Sequence, residues 1–242
     1  MKKVISILMV LCIVASLFAA GTIKVGGAFD FVTGKTGNFN ELDLGNKVQY
    51  KAKGFGFDIS GRTEISPVFD VWSDVNMVFA SNIDLRQDGA NEWYSLDTIA
   101  KQMEEEVGQA ATKRVNKYSI AVGVAFKLPV AETVNVSVGG GVFFDSLVGK
   151  VSASVPENTN TSPKHVSATY KFMSLGLTTY ADATVKFADN YGISVTAMPR
   201  VGLLSMSTVT QVEDNDPIPV SKATAFSVSF SMPVAVGVSY SF

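Results

Sequence analysis

The chain has 242 residues, of which 47% are apolar and only 17% are charged, compared with about 25% charged residues in an ordinary soluble domain. The high apolar share excludes a disordered chain, and the formal net charge of -2 excludes a strongly basic nucleic-acid-binding protein. After residue 21 no apolar run approaches the ~18 residues of a membrane-spanning helix, which excludes a multi-pass helical membrane protein.

The first 21 residues have the pattern of a secretory signal peptide. Lys2 and Lys3 precede an apolar stretch over residues 4–18, and the small residues Ala19, Ala20 and Gly21 follow it. A positive start, an apolar middle and small residues at the cleavage position are typical of an exported leader. We therefore predict a signal peptide over 1–21 and one domain over 22–242.

In the predicted domain, apolar residues recur at every second position, as in β-strands that bury or expose one face. The alternation slips near Gly54, which predicts a β-bulge there. The segments that alternate are approximately 23–31, 48–59, 69–85, 118–126, 134–155, 167–187, 191–209 and 226–242.

The last of these segments has the most regular pattern. From Phe226 to Phe242 every even position is apolar, and most odd positions are Ser, Ala or Gly. Pro233 interrupts the odd positions, and it cannot donate a hydrogen bond to a neighbouring strand. We expect an eighth strand here that is irregular around Pro233.

The connections between the predicted strands alternate in length. Segments 34–46, 86–116, 156–166 and 210–222 are long, whereas 61–67, 128–132 and 188–190 are short. Long loops on one side and short turns on the other indicate an up-and-down antiparallel arrangement. Eight such strands can close into a barrel without a free edge, so the predicted fold class is an all-β, eight-stranded antiparallel barrel.

The polar face of the predicted strands carries charges of both signs. In the third strand that face holds Asp70, Trp72, Asp74, Asn76, Asn82 and Asp84, and other strands offer Lys24, Lys51, Lys127, Lys171, Lys186 and Arg200. Ion pairing of these groups inside the barrel leaves the apolar face for lipid. This is the pattern of a transmembrane β-barrel, in which barrel closure satisfies every backbone group.

Six charged residues are candidates for a network in the lumen: Asp70, Asp74, Lys171, Asp182, Lys186 and Arg200. Side chains usually fill the interior of an eight-stranded barrel, which favours a structural ion-pair network. A selectivity path for small solutes is the alternative interpretation.

The second long loop is predicted to contain a helix over residues 96–110. Leu96, Ile99, Met103 and Val107 follow the three-and-four spacing of an amphipathic helix. Such a helix can shield the mouth of the barrel, or it can serve as a lid or as a partner-binding element.

The sequence gives no motif for catalysis, a cofactor or a metal ion, and we do not expect an enzyme. His165 with Ser167 lacks an orienting acid at a recognisable spacing. The acidic segment 213–216 lacks the glycine of a calcium loop, and a solvated loop tip is the better interpretation.

The final strand resembles the C-terminal assembly signal of bacterial outer-membrane proteins, an alternating strand that ends in an aromatic residue. Val236, Val238, Tyr240 and Phe242 carry this resemblance. Together with the leader and eight strands, it makes the chain similar to the small outer-membrane barrels of the OmpX, OmpW and OmpA-barrel type. The resemblance implies an outer-membrane location, assembly by the barrel-assembly machinery and a monomeric state.

The same resemblance implies a structural role or the passage of small solutes, including hydrophobic ones. A surface adhesin that binds host or partner surfaces through its long loops is the alternative. A soluble periplasmic barrel that binds a ligand is a third possibility. The low charge excludes nucleic acid as a partner.

Overall fold

The computed structural model describes residues 21–38, 47–87, 89–155, 164–213, 216–225 and 228–242. Apart from Gly21, the predicted signal peptide lies outside them. The elements in chain order are β1 (Thr22–Asn38), β2 (Lys47–Ser66), β3 (Phe69–Gln87), β4 (Tyr94–Ser95), α1 (Leu96–Val107), β5 (Thr112–Ala131), β6 (Val134–Val155), β7 (Lys164–Lys186), β8 (Tyr191–Ala197), β9 (Arg200–Glu213), β10 (Asp216–Ala225), β11 (Ser229–Ser231) and β12 (Val234–Ser241). No helix of the described residues is long and apolar enough to cross a membrane.

The strands form one closed antiparallel barrel. β1, β2, β3, β5, β6 and β7 each pair with the next, and β7 pairs with both β8 and β9. β8 and β9 form the seventh wall strand, and β10, β11 and β12 form the eighth. The barrel closes where β1 pairs with β11 and β12, from Thr22 opposite Ser241 to Gly34 opposite Ser229. The predicted eight-stranded barrel is confirmed.

Two wall strands are interrupted where the sequence has proline. The seventh breaks at Met198 and Pro199, and the eighth breaks at Met232 and Pro233. The two breaks are neighbours, because the Met198 amide donates a hydrogen bond of 3.0 Å to the Pro233 carbonyl. Proline lacks the N–H group that a strand ladder requires, which explains both interruptions. The alternation had indicated the seventh strand as continuous.

The strands extend further toward the long loops than the alternation indicated. The segment 210–222, predicted as a long loop, is largely a β-hairpin in which β9 and β10 pair from Glu213 and Asp216 onward. β5 likewise begins at Thr112, inside the predicted second loop. Polar strands can form there because barrel walls continue to pair beyond the apolar surface.

The predicted bulge lies on the opposite strand. β2 alternates without a slip from Val48 to Ser60, and the register shift places the extra residue, Ser81, in β3. Val48, Tyr50 and Ala52 are buried on the inner face. The apparent slip near Gly54 therefore marks a change of the interior from polar to apolar, not a change in the backbone of β2.

The outer surface of the barrel is apolar over a continuous band. Outward-facing side chains such as Phe55 (72% exposed), Phe57 (64%) and Val236 (53%) keep more than half of their surface uncovered by the protein. Aromatic rings pair along the short-turn end, where Tyr191 lies 5.0 Å from Tyr240 and Tyr240 lies 4.9 Å from Phe242. An apolar outer band with aromatic residues at its border is typical of a barrel surrounded by lipid.

Candidate functional site: the filled barrel interior

The centre of the lumen holds a fully buried ion-pair cluster. Arg200, at the start of β9, donates to Asp74 of β3 at 3.0 Å and to Asp145 of β6 at 2.9 Å. Lys117 of β5 binds Asp145 at 2.8 Å and also binds Asp30 of β1. The cluster, which we call the central cluster, connects five wall strands.

A second cluster lies nearer the short-turn end. Arg62 of β2 contacts Asp182 of β7 at 3.2 Å and Asp70 of β3 at 3.5 Å. Lys24 of β1 also binds Asp182, and Lys127 of β5 contacts Asp70 at 3.2 Å. This lower cluster again joins strands from opposite sides of the barrel. Buried charges need such partners, since the desolvation of an unpaired ion is costly.

Of the six candidate lumen residues, the structure places four inside these clusters. Asp74 and Arg200 belong to the central cluster, and Asp70 and Asp182 belong to the lower one. Lys186 lines a cavity of about 430 Å³ that is open at the short-turn end, together with Arg62, Glu64, Asp70, Lys127 and Phe242.

The structure corrects the placement of Lys171. Its neighbours Phe172 and Ser174 are buried on the inner face, and Lys171 pairs across strands with Val148 and Thr208 on the outer face. The side chain therefore does not belong to the lumen network. Strand parity decides this, because Phe172 occupies the inward position.

Asn82, Asp84 and Lys51 also lie outside the lumen, contrary to the prediction. The extra residue Ser81 reverses the parity of β3, so that Ile83 is the buried residue. Asp84 and Lys51 instead form a half-exposed ion pair of 3.7 Å on the outer face.

The central cluster contains three charged residues that sequence analysis missed: Asp30, Lys117 and Asp145. Each shares the inward parity of its strand. Asp30 lies between outward-facing Phe29 and Phe31, and Lys117 shares its parity with buried Ser119. Parity was the signal that could have found them, although it does not identify their partners.

Aromatic rings cross the lumen above and below the central cluster. Trp72 of β3 stacks on Tyr180 of β7 with ring centroids 4.5 Å apart, and Tyr50 of β2 stacks on Phe172 of β7 at 4.2 Å. Neither pair joins neighbouring strands, so each spans the interior. All four side chains are buried. Trp72 lies against Gly123, where a side chain would meet the indole ring.

The predicted loop helix closes the long-loop end. Leu96 is fully buried and Ala100 is nearly so, in an apolar cluster with Ile83, Leu147 and Val151 of the wall. Ile99 and Met103 pack against the same cluster. The side chain of Val107 lies outside the described part of the chain. The helix thus inserts its apolar face into the mouth of the barrel, and it ends at Val107, three residues before the predicted end at residue 110.

Local interactions define both ends of α1. The Ser95 hydroxyl accepts a hydrogen bond of 3.1 Å from the Thr98 amide at the N-terminus. Gly108 ends the helix with a φ of 70°, a left-handed conformation that suits glycine. Lys113 of β5 binds Asp97 and donates at 2.7 Å to the Ser81 carbonyl at the β-bulge. The helix is therefore attached to the wall by polar contacts as well as by apolar packing.

The proposed assembly residues lie on the outer surface. Val236 and Val238 of β12 are exposed to the surroundings of the barrel, and Phe242 is 76% exposed beyond the end of the strand. The Phe242 amide donates to the Gly21 carbonyl at 3.0 Å, so the two ends of the described domain meet. The side chain of His165 lies outside the described part of the chain.

No family model and no curated protein matches the sequence. Solved structures do share the fold. The outer membrane protein OprG from Pseudomonas aeruginosa matches with a TM-score of 0.55 at 9% identity, over 93% of this chain and 97% of that chain. A major outer membrane protein from Thermus thermophilus matches with a TM-score of 0.51 at 15% identity, over 89% of this chain and 99% of that chain.

These likenesses show the fold. The chain has the fold of the small bacterial outer-membrane β-barrels, in agreement with the resemblance of its final strand. An apolar outer band and a charged, paired interior complete the arrangement of an integral membrane barrel. In bacterial outer-membrane barrels the short turns are periplasmic and the longer loops are extracellular.

Proposed function

We propose that this integral outer-membrane barrel is a structural, non-conducting protein that acts at the cell surface. The carrying observation is the filled lumen. Two aromatic stacks and two ion-pair clusters join opposite walls, and α1 occupies the extracellular mouth. Opening a path for solutes would require several of these contacts to break together. The role needs no catalytic residue, cofactor or metal ion.

The test is electrical recording from the full-length protein in planar bilayers. We expect no steady unitary conductance from the wild-type barrel. A variant that combines Tyr50→Ala and Phe172→Ala with the removal of residues 96–107 supplies the matched control, because it empties the extracellular half of the lumen. A large, steady conductance from the wild-type protein would overturn the proposal.

A surface interaction role is the second candidate, and the rigid attachment of α1 to the barrel supports it. The helix buries one face in the barrel and exposes Lys101, Gln102 and Glu105 on the other. A capped helix attached to a rigid barrel presents these side chains with little loss of conformational freedom on binding.

A triple variant with alanine at Lys101, Gln102 and Glu105 keeps the helix and removes its exposed polar side chains. Under the surface interaction role, we expect bacteria that display this variant to attach less well to host-cell surfaces at equal outer-membrane levels. Replacing the periplasmic residues Glu132 and Asp189 with alanine is the control. Unchanged attachment of the helix variant would contradict this second role.

A further inference from the structure

The outer face of the barrel changes from apolar to basic at its extracellular border. On β5 the outward series runs from Val122 through Tyr118 and Asn116 to Arg114. On β6 it runs from Phe144 through Ser146 and Val148 to Lys150. On β7, Lys171 is the next outward residue after Met173. Arg114, Lys150 and Lys171 thus form a group on three adjacent strands, which we call the basic triad.

Strand register holds the three cations close together. Arg114 lies directly opposite Lys150, and Lys150 lies opposite Thr169, two residues from Lys171. Directly opposed residues place their Cβ atoms about 4.5–5.5 Å apart, and diagonal neighbours are about 7–8 Å apart. The spacing matches the size of a phosphorylated head group.

In the described part of the chain, none of the three side chains of the basic triad forms an ion pair or a hydrogen bond with another residue. Like charges placed directly opposite each other destabilise a sheet. Arg114 opposite Lys150 is therefore an unfavourable pair unless an anion lies between them.

The opposite side of the same border differs. There Lys51 pairs with Asp84 at 3.7 Å, and both Lys51 and Arg86 lie over the Trp93 ring at 4.1 and 4.6 Å. On that side Lys51 and Arg86 have partners within the protein, whereas the neighbouring Lys53 of β2 lacks one among the described residues. On β5, β6 and β7, three adjacent cations lack a partner among the described residues. The asymmetry points to a ligand from outside the chain.

We propose that the basic triad binds the phosphorylated head group of an anionic lipid in the outer leaflet that surrounds the barrel. The triad begins where the apolar band ends, which is the level of the head groups. Phosphate oxygens accept charge-assisted hydrogen bonds from Lys, and Arg114 can bind two of them with its planar guanidinium group. Basic residues at a membrane surface attract anionic lipids by this mechanism.

The experiment uses native mass spectrometry of the folded full-length protein in detergent. The probes are bisphosphorylated lipid A, its dephosphorylated form and phosphatidylcholine. We expect wild-type protein to retain phosphorylated lipid A in preference to the other two. Each charge removed by Arg114→Gln or Lys150→Gln weakens this retention by about fivefold. Lys150→Arg keeps the retention, and Lys101→Gln on α1 is the matched control that leaves it unchanged.

A stability measurement gives an independent readout. In phosphatidylcholine vesicles, Lys150→Gln relieves the repulsion from Arg114, so we expect it to unfold at the same or a higher urea concentration than wild type. In vesicles that also contain lipid A, we expect the order to reverse. A residue with a merely structural role would change stability in the same direction in both vesicles.

Three results would overturn the proposal. The first is equal retention of phosphorylated and dephosphorylated lipid A by the wild-type protein. The second is wild-type retention by the Arg114→Gln and Lys150→Gln variants. The third is complete displacement of lipid A by millimolar inorganic phosphate, which would indicate a site for free phosphate and not for a lipid.

Discussion

Asp145 is the anion that the two cations of the central cluster, Arg200 and Lys117, share. One carboxylate accepts from Arg200 and from Lys117, and it also accepts from the Ser231 hydroxyl at 3.0 Å. It therefore connects β6 to β9, β5 and β11. Removing a shared anion leaves two buried cations with fewer partners, which is the costly way to break a buried ion pair.

At the residue scale we predict that Asp145→Asn lowers the free energy of unfolding by about 3–5 kcal/mol. Asparagine keeps the size of the side chain and removes its charge, so Arg200 and Lys117 lose a counter-ion without creating a cavity. Urea unfolding in lipid vesicles measures the change. Glu132→Gln, at an exposed position in the turn between β5 and β6, is the control and should cost little. A loss below about 1 kcal/mol for Asp145→Asn would show that the clusters do not stabilise the barrel.

Gly56 marks a place where two strands approach too closely for a side chain. A Cβ atom built on Gly56 would lie 1.8 Å from the Met77 carbonyl oxygen, whereas one on Gly27 would meet its nearest atom at 4.0 Å. We predict that Gly56→Ala destabilises the barrel by about 1–3 kcal/mol through overpacking, and that Gly27→Ala does not. The two midpoints of urea unfolding check this, and equal midpoints would show that β2 and β3 separate at little cost.

At the residue scale the sequence predicted which face of a strand a charged residue occupies better than it predicted which residue it pairs with. Alternation placed Asp70, Asp74, Asp182 and Arg200 inward, but it could not assign Asp74 to Arg200, because that pairing depends on the stagger of strands around the ring. Lys171 was misplaced for a related reason. Its neighbour Phe172 faces inward. The prediction assumed that inward positions are polar, so it assigned the aromatic Phe172 to the outer face and Lys171 to the lumen.

At the scale of elements, α1 is held by one deeply inserted side chain and by the polar contacts of Asp97. Leu96 has no exposed surface, and its Cδ1 atom lies against Gly149 of β6. The small size of Gly149 creates the space for Leu96. Helix and wall therefore fit each other through a leucine and a glycine that are distant in the sequence.

We predict that Leu96→Glu releases α1 from the mouth, because burying an unpaired carboxylate in the apolar cluster is unfavourable. Limited proteolysis of intact cells should then cleave the loop faster, by roughly tenfold if the docked state loses about 1.4 kcal/mol or more. Gln102→Glu introduces the same charge on the exposed face and serves as the control. Equal cleavage of the two variants would indicate that Leu96 does not hold the helix.

The helix and the strands differ in how far sequence determines them. Spacing, the cap at Ser95 and Gly108 suffice to predict α1, because these interactions are local. The bulge at Ser81 depends on which strand lies opposite. Its position results from pairing over long distances, which a pattern within one segment does not contain.

At the scale of the whole molecule, a charged side chain introduced on the lipid-facing surface should destabilise the barrel more the deeper it lies in the bilayer. Val236 lies near the middle of the outward series between Tyr240 and Phe230. We predict that Val236→Arg costs about 2–4 kcal/mol when the barrel unfolds from a lipid bilayer. Tyr191→Arg, on the same outer face but at the border of the barrel, should cost much less. Similar losses for both would mean that the apolar band does not span the membrane at this level.

The number of strands and their antiparallel order were predictable because they depend on period and loop length alone. That the apolar face points outward was also predictable, because the charged residues of the other face need ion-pair partners and find them inside the barrel. The closed lumen was not fully predictable. It depends on two aromatic stacks across the barrel, Tyr50 on Phe172 and Trp72 on Tyr180. These stacks form only when the whole barrel has closed, so the pattern of a single strand does not predict them.

The seam between β1 and β12 determines when this protein can become a barrel. Thr22 pairs with Ser241, so the first and the last wall strands must be present together before the ring exists. A chain that leaves the export machinery N-terminus first therefore has an unpaired strand edge at β1 until its final segment has also been exported. Closure is a late, single event, and every strand synthesised earlier must be kept from pairing with other chains until then.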